Sequence, residues 1–275
     1  MLPDFIGIGP ARSATTWMYE SLKSHPEICM ARWDKKTHFF DLYFEKGSDW
    51  YEDFYSRCEP GKKRGELTET YIFYDEIPQR IHALCPHVKI FSCLRNPVDR
   101  AFSAYNHLVR DGVLTCSFEQ ALQEQEKILI TDSMYYDHLR PYFSLFPKEQ
   151  LHITLFEDVL ADQKKYLFDL YSFLGVDPGY LPPDHGEKKN RTEQPRFPLL
   201  NKVMLISHLI LRDLHLYRFL IPLKESRLVQ KLRFKEQKGR PVMKEETRQQ
   251  LQRVFRPQIE QLGELLERDV SIWLS

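Results

Sequence analysis

Two apolar runs organise this chain. Residues 4–9, with Phe5 to Ile8 at their centre, read as a buried strand, and Val88 to Leu94 (VKIFSCL) reads as a central parallel strand. Leu151 to Phe156 alternates and predicts a third strand. Helical spacing fills the intervals. It predicts helices over 14–24, stopped near His25-Pro26, and over 75–84. A further helix covers 98–110, with Pro97 at its first turn. Ser117 caps the next helix, with Gln120 three residues on completing the box. Residues 135–145 are helical up to Pro147, and 160–174 form an amphipathic helix closed by Gly175. Residues 244–267 are helical, with Pro257 dividing them into two pieces. Strands separated by helices predict an α/β fold, a single domain over 1–275 with a central parallel sheet flanked by helices.

The texture changes after Asp177. Residues 178–198 are rich in proline and charge and read as a loop, and 224–240 are basic. Across 199–222, Val203, Ile206, Ile210, Leu214, Tyr217 and Ile221 fall on one helical stripe, with His208, Arg212 and His215 on another. Residues 180–235 therefore read as a helical insert. The 199–222 stripe packs over a cleft in one reading. In the other it makes peripheral membrane contact. The few charges, mixed in sign, favour the first.

Charge and cysteine usage narrow the classes. Lys plus Arg and Asp plus Glu number 39 each, so the formal net charge is zero. That balance argues against a nucleic-acid partner held by bulk positive charge. The five cysteines, Cys29, Cys58, Cys85, Cys93 and Cys116, form no C-x-x-C pair. Their odd number predicts reduced thiols and a cytoplasmic location rather than a disulfide framework or a zinc site. No leader pattern precedes the first strand, and no run of about 18 uncharged apolar residues predicts a membrane span.

The chemistry gathers after the apolar strands. Gly7-Ile-Gly-Pro-Ala-Arg-Ser-Ala-Thr-Thr-Trp17 joins the first strand to the first helix. A strand, a tight loop with a cation and hydroxyls, and then a helix suits a phosphate-like anion. Arg12 supplies a planar fork; Ser13, Thr15 and Thr16 supply hydroxyl donors. Arg95 ends the Val88–Leu94 strand, and Ser103 follows eight residues later. Ligands of doubly wound sheets sit beyond the carboxyl ends of strands. Arg95 is therefore expected on the rim that carries Arg12, which suits a ligand with anionic groups at two ends. Lys238-Gly239-Arg240 adds a third cationic element.

Together these elements resemble sulfotransferases that use 3′-phosphoadenosine-5′-phosphosulfate, nearest the heparan-sulfate branch and its bacterial relatives. Ala11 to Trp17 resembles the 5′-phosphosulfate loop, and Arg95 with Ser103 resembles the 3′-phosphate pair. Lys238-Gly239-Arg240 resembles the loop that closes over the nucleotide, and Ser133 also has a counterpart. Lys35-Lys-Thr-His-Phe-Phe-Asp41 resembles the branch's K-E-x-H-F-F-D element, and Gly65-Glu-Leu-Thr-Glu-Thr-Tyr71 its G-E-K-T-P-x-Y element. Lys36 stands where the family carries its catalytic Glu, and Leu67 where it carries Lys. The base is therefore not inherited.

The resemblance implies a P-loop-like fold, a nucleotide sulfuryl donor and no metal. It implies transfer to a hydroxyl or amine of a carbohydrate, lipid or small-molecule acceptor. Arg12 clamps the phosphosulfate in this reading, and His38 is the first candidate base because histidine titrates near neutral pH. Glu66 is the second candidate, and Lys36 stands beside the acceptor cleft. Trp17 reads more readily as core than as a stacking residue. Two alternatives stay open. One is a P-loop kinase or NTPase, although G-x-x-x-x-G-K-[ST] is absent. The other is a relative that binds nucleotide or glycan without transferring sulfate.

Overall fold

The strands are β1 (Phe5–Gly7), β2 (Ile28–Met30), β3 (Lys63–Leu67), β4 (Lys89–Leu94) and β5 (Leu151–Leu155). All pair in parallel, in the order β2-β3-β1-β4-β5. The computed structural model describes residues 1–32, 36–183 and 242–274, and the backbone of 193–195 and 234–236.

Register decides which side chains meet. Phe5, Leu67, Phe91 and Cys93 join one buried layer with Met18 and Leu22 of the helix Thr15–Ser24 and with Leu167, Leu170 and Leu174 of the helix Gln163–Leu174. Gly7 has to lack a side chain, because a Cβ there would stand 2.5 Å from the Phe91 ring. Ile6 is the register partner of both Glu66 and Ile90, so these three share the opposite face.

Connectivity sets where a ligand can lie. The chain leaving β1 runs to β2 on one side, and the chain leaving β4 runs to β5 on the other. The sheet therefore reverses its winding between β1 and β4, and the crevice beyond their carboxyl ends is the switch point. The loops bounding it are Ile8–Ala14 after β1 and Arg95–Asn96 after β4.

Most expected elements are present, with four corrections. The edge strand β2 and its neighbour β3 carry no apolar signal of strand length. β2 has three residues, and β3 reads KRGEL, with two cations and a carboxylate. The expected helix over 160–174 is two helices, Phe156–Ala161 and Gln163–Leu174. Asp162 leaves helical geometry between them, and its carboxylate accepts from the Lys164 and Lys165 amides at 3.0 Å. The helix Glu245–Leu266 runs unbroken through Pro257. The buried stripe of Phe255, Ile259 and Leu262 continues across the proline and offsets its cost of about 3 kcal/mol.

The fourth correction concerns the cysteines. Cys29 in β2 and Cys58 form a disulfide with a Cα–Cα distance of 5.8 Å, while Cys85, Cys93 and Cys116 stay free. An odd total leaves room for one pair, and a spacing of 29 residues gives no motif to reveal it. The thiol argument for a reducing compartment falls with it. The bond ties the sheet's edge strand to the segment leading into β3. Cys58→Ser should cost about 2–4 kcal/mol of unfolding free energy, as expected for opening a loop of that length. Denaturant titration of native and variant chains checks this, and coincident curves would refute it.

The chain divides into two compact units. The first comprises Met1–Arg100, Asp132–Lys188 and Gln252–Ser275; the second comprises Ala101–Thr131 and Lys189–Leu251. The first contains the whole five-stranded sheet. In the second, Ser117 and Gln120 form the expected reciprocal cap, and the Phe118 ring meets Phe102 at 5.1 Å and Tyr105 at 5.2 Å. Thr247 donates to Glu119 at 3.0 Å. Residues 193–195 and 234–236 pair as a short antiparallel ladder.

Candidate functional site

The loop after β1 is held open by its backbone. Gly9 has φ 107°, and a Cβ there would stand 2.3 Å from the Glu69 carbonyl oxygen. Its carbonyl accepts from the buried Ser92 hydroxyl of β4 at 2.6 Å. Arg12 and Ala14 adopt left-handed conformations, φ 77° and 58°. Such strain in non-glycine residues persists where surrounding structure imposes it, and it concentrates at functional sites. Ala14 is the N-cap of the helix Thr15–Ser24 and offers no side-chain cap. The Ser13 hydroxyl is fully buried, with no hydrogen-bond partner among the described residues. A buried hydroxyl left unmet costs about 1–3 kcal/mol, which points to a ligand group that meets it.

Arg95 comes to this loop from β4. Its Nη1 donates to the Arg12 carbonyl at 3.3 Å, and its guanidinium lies 5.2 Å from the centre of the Phe156 ring. Its own carbonyl accepts from the Tyr135 hydroxyl at 2.9 Å. Asn96 then starts the helix Pro97–Arg110, its Oδ1 accepting from the Val98 amide at 3.0 Å. Arg12 and Arg95, 83 positions apart, thus share one rim of the sheet, as the strand positions predict.

The segment after β3 is the third wall. The Thr68 amide donates to the Gly7 carbonyl at 2.9 Å and the Ile72 amide to the Ile8 carbonyl at 3.0 Å. Between these ties, Glu69 turns toward the loop. Its Oε2 accepts from the Thr15 hydroxyl at 3.0 Å, and its Oε1 meets Lys36 Nζ at 2.5 Å. Thr70 donates to Asp41 Oδ2 at 2.7 Å. Asp41 in turn binds His38 Nδ1 at 2.9 Å. Burial pushes the Asp41 carboxyl up, but His38 and Thr70 outweigh it and hold the group below its ordinary value. The carboxylate therefore stays ionised and orients the ring by its Nδ1. His38 is 13% exposed and also left-handed, φ 52°.

Glu66, the second candidate base, lies inside the fold. It is fully buried on the sheet face and caged by hydroxyls. Thr37 donates to it at 2.6 Å, Thr68 at 2.7 Å and Tyr71 at 3.3 Å, and Tyr51 donates as well. Burial pushes its pKa up, against the hydrogen bonds from Thr37, Tyr51 and Thr68. A base has to reach the proton it takes. Glu66 instead ties β3 to the 37–71 region.

The remaining expected residues divide by place. Trp17 is partly buried and packs against the core, 5.7 Å from the Tyr166 ring. Thr16 follows Thr15 in the first turn of the helix. Ser133 is buried, and its hydroxyl accepts from Arg100 Nε at 2.6 Å. Ser103 is half-buried in the second unit, on the helix Pro97–Arg110. Lys238, Gly239 and Arg240, the 199–222 stripe and Lys35 lie outside the described residues. Sequence reasoning missed Asp41, although its spacing of three from His38 on a helical turn was a signal. It also missed Glu69, whose partners Thr15 and Lys36 are distant in sequence.

Arg12, Arg95 and the buried Ser13 hydroxyl lie on one rim of the sheet, and the His38–Asp41 pair sits on the 36–41 segment that Lys36 and Glu69 tie to that rim. Among the described residues there is no cluster of three or more His, Cys, Asp or Glu able to hold a metal. Nor is any helix there long and apolar enough to cross a membrane.

Known proteins resemble this chain. The sulfotransferase domain family matches residues 2–263. A heparan sulfate glucosamine 3-O-sulfotransferase 3B1 of Mus musculus is 30% identical over 183 residues, covering 64% of this chain and 46% of its own length. A bifunctional heparan sulfate N-deacetylase/N-sulfotransferase of Drosophila melanogaster is 29% identical over 208 residues, covering 64% of this chain and 20% of its own. The chain thus spans less than half the length of these curated relatives. The crystal structure of a sulfotransferase from Alicyclobacillus acidocaldarius superposes with a TM-score of 0.75 at 24% identity, covering both chains fully. That likeness shows the fold.

Proposed function

The chain belongs to the sulfotransferase domain family, and on that premise we propose that it moves a sulfuryl group from 3′-phosphoadenosine-5′-phosphosulfate to a hydroxyl or amine. The observation that carries this reading is the Arg95 guanidinium on the Arg12 carbonyl, beside a buried Ser13 hydroxyl with no partner among the described residues. The residues present fit such a donor. The orphan hydroxyl wants an anionic oxygen, and the helix behind it has no side-chain cap. The kinase alternative is not favoured, since the loop lacks its Gly-Lys pair.

Each group then has a task. Arg12, Thr15, Thr16 and the helix start hold the 5′ end, and Arg95 holds the 3′-phosphate. The donor supplies a sulfur already bonded to a good leaving group. The acceptor oxygen or nitrogen forms its bond to sulfur as the bridging S–O bond breaks, and the electron pair leaves with the phosphate. The acceptor proton goes to Nε2 of His38, whose other nitrogen Asp41 holds. The protein's part is positioning and charge stabilisation, as in phosphoryl transfer.

The acceptor is proposed as a hydroxyl or amine of a glycan, on the strength of the relatives named for heparan sulfate. Labelled donor, offered with glycan, lipid and small-alcohol acceptors, should give a labelled product with at least one of them. Absence of transfer, together with absence of binding to 3′,5′-adenosine bisphosphate, would overturn the reading.

A further inference from the structure

Lys36 and Glu69 form an ion pair against the anion loop, on a frame too firm for an incidental surface contact. The two side chains are 32% and 17% exposed. Glu69 sits where the missing Cβ of Gly9 lets its backbone approach, and amide ties at Thr68 and Ile72 fix the segment to the end of β1. One carboxylate thus holds two things at once: the hydroxyl of Thr15, the first residue of the helix after the anion loop, at 3.0 Å and the Lys36 ammonium at 2.5 Å. We infer that Glu69 is a positioning residue that aims Lys36 at the sulfuryl group, making Lys36 a second cation beside Arg12 at the reacting end.

The chemistry follows from the donor inventory. An ammonium has three N–H groups and no acceptor. With one directed to Glu69, the others remain to address negative oxygen that develops as the S–O bond breaks. A lone lysine on a flexible stem would not be aimed, since holding its rotamers costs entropy. The carboxylate supplies that aim, and it offsets the charge of Lys36 before the anionic donor arrives. Lys36 so placed stabilises charge and takes no proton; the proton still passes to His38.

The inference rests on the sulfuryl-transfer reading, and the test separates the two. Lys36→Met and Glu69→Gln are compared with the parent in equilibrium binding of two nucleotides: the phosphosulfate donor and 3′,5′-adenosine bisphosphate, which lacks the sulfuryl group. Glutamine can still accept from Thr15 through its one amide oxygen and then turns an NH2 toward Lys36, so this variant breaks the ion pair while keeping the Thr15 contact. Both variants should bind the bisphosphate within about twofold of the parent, yet lose about tenfold in preference for the phosphosulfate, as for one charge-assisted hydrogen bond. Release of labelled sulfate from the donor to water, a readout that needs no acceptor, should fall about 100-fold, as for removal of one donor to transition-state charge. Lys36→Arg should recover part of both losses.

An unchanged preference in both variants overturns the inference. So does an equal loss of affinity for both nucleotides, which would make the pair a brace for the loop. If the parent itself binds neither nucleotide, the sulfuryl-transfer reading fails, whatever the variants do. Lys36 is a third exposed, so Lys36→Met spares the core, and a melting curve verifies its fold.

Discussion

Replacing Arg12 by alanine should cut sulfuryl transfer by about 10²–10³, and replacing Arg95 should weaken nucleotide binding at least tenfold. The magnitudes follow from what each guanidinium supplies. A hydrogen bond to a charged group is worth about 1.5–3 kcal/mol, or roughly one to two decades in affinity. A donor aimed at charge that develops in the transition state is worth about 10²–10³ in rate. The two variants should differ in character. Arg12 is assigned to the reacting end, so Arg12→Ala should lose turnover beyond its loss in binding. Arg95 is assigned to the 3′-phosphate, so Arg95→Ala should lose affinity for the phosphosulfate and the bisphosphate alike. Arg95→Lys should recover little, because lysine cannot reproduce a planar fork that reaches the Arg12 carbonyl and stacks on Phe156. Calorimetry with both nucleotides checks this, and unchanged affinity in both alanine variants would defeat the assignment.

That pair also marks what the sequence made legible. β1 and β4 are buried on both faces, so their apolar runs stand out, and the residues after them had to reach the same rim. The anion loop could be read because its meaning is local: a strand, a cation, hydroxyls and a helix in succession. β3 could not, because it carries a carboxylate into the core. Glu66 is tolerated inside only because Thr37, Tyr51, Thr68 and Tyr71 surround it, and those partners come from segments the pattern does not connect. The same separation hid the Cys29–Cys58 bond and the place of Glu69. In each case a polar side chain takes its role from a partner distant in the chain. Pro257 misled in the other direction, since a local rule against proline in helices was overridden by a buried stripe.

The same dependence on a partner governs the base. His38→Ala should bind both nucleotides as the parent does, and should transfer sulfate to an acceptor about 10²–10⁴ more slowly, the usual cost of losing a placed base. The separation of effects is the point. The His38 ring is held from outside the anion loop: its Nδ1 faces Asp41, and Asp41 is fixed by Thr70. Removing the ring therefore leaves Arg12, Ser13 and Arg95 in place. Asp41→Asn gives the second arm. Asparagine can keep contact with the ring but no longer demands an N–H at Nδ1, so the wrong tautomer becomes available and Nε2 ceases to be a reliable acceptor. Its rate should lie between those of the parent and His38→Ala, with nucleotide affinity unchanged. Adding the asparagine to His38→Ala should then cost nothing further, because residues that act through one group are not additive. Full transfer by His38→Ala would remove His38 as the base. A further loss in the double variant would show Asp41 acting by some route other than the ring.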